Sequence, residues 1–182
     1  RTRRTWRYAW AVGGSGRCVE EAGLEGGAGG ADETIVVDTG SSDATAEMAR
    51  SHGARVYSFP WVDDFSAARN FSFSKATGDY LLWLDADDVL PEQTRRGLIL
   101  LKEKLDPDVD MVLLPYHIAF DSADRPTFVY YRERLLRRLA GFCGAGEVHV
   151  VIPPGGRRLQ TPQTVAHRTL RTSQPWRTPG TL

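Results

Sequence analysis

Apolar and polar residues fall into a clear alternation of strand-like and helix-like stretches from residue 33 onward. Residues 34–37, Thr-Ile-Val-Val, form a compact β-branched run of the kind that fits a strand. Asp38-Thr-Gly-Ser-Ser-Asp43 follows as a turn, with Ser41 or Ser42 placed to cap the next helix. That helix is predicted over about residues 43–52, stopping at Gly53, and residues 54–59 read as a second strand. Pro60 breaks this strand, and Asp64 or Ser66 can cap a helix over about residues 66–76. Residues 80–84, Tyr-Leu-Leu-Trp-Leu, are continuously apolar, which predicts a strand buried on both faces. Pro91 sits at a helix start, and residues 92–105 are amphipathic, with Leu98, Leu101 and Leu105 on one face. Residues 111–120 and 127–138 read as the two arms of a hairpin around the turn at 121–126. A last short strand is predicted over residues 147–152.

Both ends lack this order. Residues 1–15 carry no clean period, with a short strand at residues 8–12 the best local reading. Residues 17–24 fit a short helix, and residues 26–30 a glycine-rich connector. From Pro153 on, proline, glycine and arginine recur without periodicity, and little packed structure is expected. The expected organisation is therefore an atypical segment 1–30, an ordered domain 31–152 and a weakly ordered tail 153–182. Alternating elements followed by an antiparallel half predict an α/β domain, with helices on both faces of a mixed, mostly parallel sheet.

The apolar strand at 80–84 runs directly into Asp85, Asp87 and Asp88. Ligands of open α/β sheets bind beyond the carboxyl ends of parallel strands. Carboxylates so close repel one another unless a cation or hydrogen bonds offset them. The cluster therefore reads as a divalent-cation site holding a diphosphate, or else as a solvated acidic turn ahead of the next helix. The chain has 182 residues, 41% hydrophobic and 25% charged, with a formal net charge of zero, which gives no electrostatic footprint for nucleic acid. Two cysteines make no disulfide framework. No apolar run is long enough to cross a bilayer.

Three segments in order carry a family resemblance: Ile35-Val-Val-Asp-Thr-Gly-Ser-Ser-Asp43, Phe59-Pro-Trp-Val-Asp-Asp-Phe-Ser-Ala-Ala-Arg-Asn70 and Ala76-Thr-Gly-Asp-Tyr-Leu-Leu-Trp-Leu-Asp-Ala-Asp-Asp88. Together they resemble family 2 glycosyltransferases, most closely the bacterial branch often fused to tetratricopeptide repeats, over about residues 31–152. The resemblance implies a GT-A fold and transfer of a sugar from a nucleotide-diphosphate donor, with inversion and a divalent cation, Mg²⁺ or Mn²⁺. It implies Asp38, Arg69, Asp85 and Asp87 on the donor and Asp87 or Asp88 on the metal. Arg69 is expected to pair with Asp38, to approach the diphosphate, or to form a surface ion pair on its own helix. Trp83 is expected in the core and Trp61 at the base or acceptor.

A late histidine followed by an acidic residue is the family's candidate general base. Here the place reads Glu147-Val-His149-Val150, so the acid is missing. Glu147, two residues before His149 on the predicted strand, would share its face and substitute as base, or else form an ordinary salt bridge, and His149 would act there, bind the metal or diphosphate, or sit hydrogen-bonded in the core. The opening residues also depart from the family's first strand. That makes the first strand doubtful and suggests a fragment with an aberrant start. The alternative is therefore a catalytically dead remnant that binds nucleotide sugar or metal. The acceptor, whether glycan, lipid or protein, is open. The supply of nucleotide sugars implies a cytoplasmic location, with peripheral attachment to the inner membrane face left open.

Overall fold

The computed structural model describes residues 31–85, 88–147 and 150–167, together with the backbone of residues 6–12. Among the described residues there are nine strands: β1 (Trp6–Val12), β2 (Glu33–Asp38), β3 (Arg55–Ser58), β4 (Tyr80–Asp85), β5 (Asp88–Val89), β6 (Met111–Phe120), β7 (Pro126–Arg137), β8 (Arg158–Gln160) and β9 (Val165–His167). The described α-helices are α1 (Thr45–Ser51), α2 (Phe65–Lys75) and α3 (Glu92–Lys104). All strands belong to one mixed sheet in the order β3-β2-β1-β4-β7-β6-β9-β5, with β8 also on β6. Strands β1 to β4 are parallel, and β7 runs antiparallel to both β4 and β6.

Side-chain alternation along β4 explains why it is buried on both faces. Tyr80, Leu82 and Leu84 enter one core cluster with Val36, Ala49, Leu98 and Leu105, which places α1 and α3 on that side. Leu81 and Trp83 enter the other with Ile35, Phe73 and Met111, which places α2 opposite. A strand between two helical layers has no polar face, so its sequence is continuously apolar. Helix α2 begins where the polar pattern indicates, because Asp64 Oδ1 accepts the backbone N–H groups of Ser66 at 2.7 Å and Ala67 at 3.1 Å. Among the described residues no helix is long and apolar enough to cross a membrane.

Three expectations are corrected. The doubtful first strand is present: β1 lies in the centre of the parallel block, between β2 and β4. Of the strand expected over residues 147–152, the described residues Glu147 and 150–152 lie in no named strand. The chain turns back on itself there, and a lone bridge joins Ala145 to Val151, with both N–H···O bonds at 2.9 Å. Part of the tail is packed, because β8 and β9 both add to β6 and Val165 is fully buried. The predicted helix at residues 17–24 and residues 168–182 lie outside the described residues.

Gly156 makes the turn that delivers β8. Its φ is +63°, and a Cβ there would stand 2.2 Å from Asp110 Oδ2, which accepts the Arg157 N–H. Gly156→Ala should therefore lower unfolding free energy by about 1–3 kcal/mol, seen as a reduced urea midpoint at unchanged slope.

Candidate functional site

The chain passes from β1 outward to β2 and β3, then returns to place β4 on the other side of β1. That reversal makes a crevice at the carboxyl ends of β1 and β4, where open α/β sheets bind ligands. Asp85 lies there, opposite Ala11 of β1, and Asp38 lies opposite Val12. The two aspartates therefore flank the end of β1, about 10 Å apart across two strand spacings.

Asp38 builds its own turn. Its Oδ1 accepts the N–H groups of Ser41 at 2.9 Å and Gly40 at 3.2 Å. Neither Ser41 nor Ser42 caps α1; Asp43 Oδ1 accepts the Thr45 N–H at 3.0 Å instead. Arg69 pairs with Asp85 rather than with Asp38 or a neighbour on α2. It is buried, which is the main cause holding its pKa below the usual arginine value. Asp85 opposes that shift, and the charges of Arg134 and Arg132 add to it. Asn70, next on α2, pins the far loop by exchanging two hydrogen bonds with the backbone of Gly144, at 2.9 and 2.7 Å.

Arg134 shares the site with Arg69, and a bulge puts it there. Val112 faces Leu135 across β6 and β7, but the next residue, Leu113, faces Glu133. Arg134 is thus the extra residue on β7. The β4–β7 ladder ends at Leu82 and Leu135, so the two strands part beyond that point. Side chains fill the gap. Trp83 Nε1 donates to the Glu133 carbonyl, and Arg134 Nη1 donates to the Trp83 carbonyl at 3.4 Å. The guanidiniums of Arg69 and Arg134 each lie 4.2 Å from the Trp83 ring centroid, and Arg132 lies 5.0 Å away. Arg134 also stands over Tyr116 at 4.4 Å. Trp83 is in the core as expected, but its indole is the surface on which three cations are stacked.

Asp88 faces inward. It is 2% exposed, its Oδ2 lies 2.8 Å from Arg134 Nη2, and the same oxygen accepts the Asp85 N–H at 2.8 Å. Burial raises its pKa against the opposing charge of Arg134. This side chain bridges the two ends of the acidic turn, which weighs against the expected role of Asp88 as a direct metal ligand. Asp85 keeps 32% side-chain exposure. Its carboxylate is held by Arg69, with Arg134 at 3.8 Å. Among the described residues no three acidic, histidine or cysteine side chains group to hold a cation. Asp87 and His149 lie outside the described residues. Mg²⁺-type sites commonly use one or two carboxylates plus substrate phosphates, and this donor set fits only that mode.

Glu147 is exposed, and its carbonyl accepts the Phe65 N–H at 2.9 Å. That bond ties the 145–151 loop to the start of α2, beside Trp61, which is 40% exposed and stacked edge-on with Phe65 at 4.7 Å. Val150 is buried against Gly144. His167 was missed by sequence reasoning. It sits opposite Asp88 across β5 and β9, with its ring 6.1 Å from Tyr116. Arg132 and Arg134 were missed too, because charged residues late in a hairpin carry no signal of burial.

The sequence model described as Glycosyl transferase family 2 matches residues 17–156. A TPR repeat-containing protein of Synechococcus elongatus is 54% identical over 59 residues, 32% of this chain and 15% of that protein. An uncharacterized glycosyltransferase of Rickettsia typhi is 37% identical over 62 residues, 34% of this chain and 21% of its own length. The chain thus corresponds to a small part of these relatives. Among solved structures, the mannosyltransferase PcManGT of Pyrobaculum calidifontis, in complex with GDP-Man and Mn²⁺, superposes over 94% of this chain and 59% of its own, with TM-score 0.65 and 17% identity. Glucosyl-3-phosphoglycerate synthase of Mycobacterium tuberculosis, in complex with Mn²⁺, UDP and phosphoglyceric acid, covers 62% of this chain and 43% of its own, with TM-score 0.51 and 22% identity. These structures share the GT-A fold of this chain.

Breaking the buried pair should be costly. Arg134→Met is expected to destabilise the fold by about 3–5 kcal/mol, because Asp88 is left buried without its cation. The Arg134→Met/Asp88→Asn double variant should recover much of that loss in a urea double-mutant cycle.

Proposed function

The chain belongs to glycosyl transferase family 2, and from that premise we propose that it is the donor-binding part of an enzyme that transfers a sugar from a nucleoside-diphosphate sugar to an acceptor hydroxyl. The observation that carries this reading is the placement of Asp85, with Arg69 on it, at the reversal point of the sheet. Asp38, on the other side of β1, would take the base or ribose in this reading. Asp85 would take the ribose and diphosphate side.

Asp87 is the residue that would hold Mg²⁺ or Mn²⁺ together with the donor's phosphates, while Asp88 fixes the turn from inside. When bound, the cation neutralises the departing diphosphate as a Lewis acid. The transfer is inverting in this reading. The acceptor oxygen bonds to the anomeric carbon as the bond to the diphosphate oxygen breaks. The acceptor proton passes to a base on the 145–151 loop, Glu147 or His149. The bond from Phe65 to Glu147 supports this loop's place next to the exposed Trp61–Phe65 pair, which suits an acceptor.

Thermal unfolding with Mn²⁺ and either UDP or GDP tests the donor site. Binding to the folded state alone should raise stability by roughly 2.7 kcal/mol at a hundredfold excess over Kd. One nucleotide should give that shift, and Asp87→Ala should abolish it. A folded protein that responds to neither nucleotide would sink the reading. Nucleotide binding with no release of sugar from any donor would favour the catalytically dead alternative that Val150 suggests.

A further inference from the structure

One edge of β7 is open over most of its length. β6 pairs with β7 from Leu136 to Pro126, but β4 pairs with its other side only at Leu135, Leu136 and Arg137. β7 is antiparallel to β4, so the residues before Leu135 extend in the direction in which β4 points toward Asp85. Residues 126–131 therefore stand beyond the carboxyl edge of the parallel strands, over about 20 Å. All six are exposed. Native sheet edges are commonly blunted by charged side chains. Here Pro126-Thr-Phe-Val-Tyr-Tyr131 carries no charge.

This edge offers hydrogen bonds at defined places. Trp83 Nε1 reaches the Glu133 carbonyl from the β4 side. The register with β6 is unbroken from Glu133 to Val129, so Tyr131 and Val129 turn their N–H and C=O groups the same way. Among the described residues no strand meets them there. Phe128 and Tyr130 stand on one face of the edge, and Val129 and Tyr131, 46% and 47% exposed, on the other. A peptide added as a strand uses this arrangement, with main-chain bonds for affinity and apolar contacts on both faces. A second copy fits it poorly. Two-fold pairing about Val129 would bring residues 121–123 of one copy level with residues 135–137 of the other, where β4 already pairs.

The foot of the edge leads to the loop that carries the candidate base. Arg132 donates to the Val150 carbonyl at 3.1 Å, and the Ile152 N–H donates to Glu133 Oε1 at 3.4 Å, which holds residues 150–152 against β7. We infer that the acceptor is a polypeptide: an extended, uncharged segment adds to the open edge of β7 and carries a Ser or Thr hydroxyl to the crevice beside Asp85. The hydroxyl oxygen bonds to the anomeric carbon, the diphosphate leaves with the electron pair of the broken bond, and the hydroxyl proton passes to the base on the 145–151 loop. This rests on the donor-site reading above and names its acceptor class.

Fluorescence anisotropy tests it, with a labelled pool of eight-residue peptides that place Ser or Thr among uncharged β-branched residues. The wild-type chain should bind the pool. N-methylation of alternate peptide amides in one phase should weaken binding roughly tenfold, and in the other phase leave it. Val129→Pro removes an open-edge N–H and keeps the ladder to β6. It should weaken the peptides about tenfold and leave the stabilisation by Mn²⁺ and nucleotide unchanged. A benzophenone in place of the central Ser should crosslink to the 144–152 segment or the Asp85 turn. No binding of the pool, equal loss in both methylation phases, or crosslinks confined to the 121–125 turn would overturn the peptide acceptor while the nucleotide response keeps the donor site. If Val129→Pro does not fold, the methylation contrast decides. Dimerisation of the wild-type chain that Val129→Pro abolishes, or oligosaccharides that displace the pool and bind Val129→Pro equally well, would also overturn it. Failure of UDP and GDP with Mn²⁺ overturns the donor site itself.

Discussion

The parting of β4 from β7 beyond Leu82 is the constraint on which the site depends. Two strands that separate leave backbone groups to be satisfied and a wedge of space to be filled. The bulge at Arg134 meets both needs at once. It sends a guanidinium into the wedge, where it bonds the Trp83 carbonyl, stacks between Trp83 and Tyr116 and neutralises Asp88. Asp88 in turn accepts the Asp85 N–H, so the acidic turn is closed from the inside by a buried ion pair. Burying two charges is expensive, and such a pair adds less to stability than to the uniqueness of one arrangement. Here that arrangement leaves Asp85 at the crevice with Arg69 on it.

Much of this fold was legible from pattern alone. The continuous apolar run at Tyr80–Leu84, the Asp64 cap and the Leu98, Leu101 and Leu105 face each express one local rule, and each element formed within a residue or two of its expected bounds. Asp85 could be placed at the carboxyl end of a parallel strand because strand and turn adjoin in sequence. What could not be read were features made by distant partners. β1 carries a weak pattern of its own and gains its place by pairing with two neighbours at once. β8 and β9 are three residues each and exist only as additions to β6.

The inward turn of Asp88 was illegible for the same reason. In sequence it is the third of three similar carboxylates. Only a bulge some 45 residues later, set by an offset between β6 and β7, decides that it meets a cation. The described residues of the expected strand at 147–152 joined no ladder because alternation is necessary for pairing but not sufficient. The loop is anchored by the Ala145–Val151 bridge, the Asn70–Gly144 exchange and the Phe65–Glu147 bond, which fix it to α2 instead of to a ladder. That anchoring brings Glu147 to the start of α2 by a route that no local pattern encodes.

Anomalous diffraction from crystals of this chain soaked with Mn²⁺ and UDP would locate the ion directly. A manganese peak beside the 85–88 turn, on the Asp87 carboxylate and the nucleotide's phosphates with Asp88 still facing Arg134, is the expected result. A peak elsewhere, or a manganese ion on Asp88 with its pair to Arg134 broken, would contradict the placement of the donor at the reversal point and the inward role of Asp88.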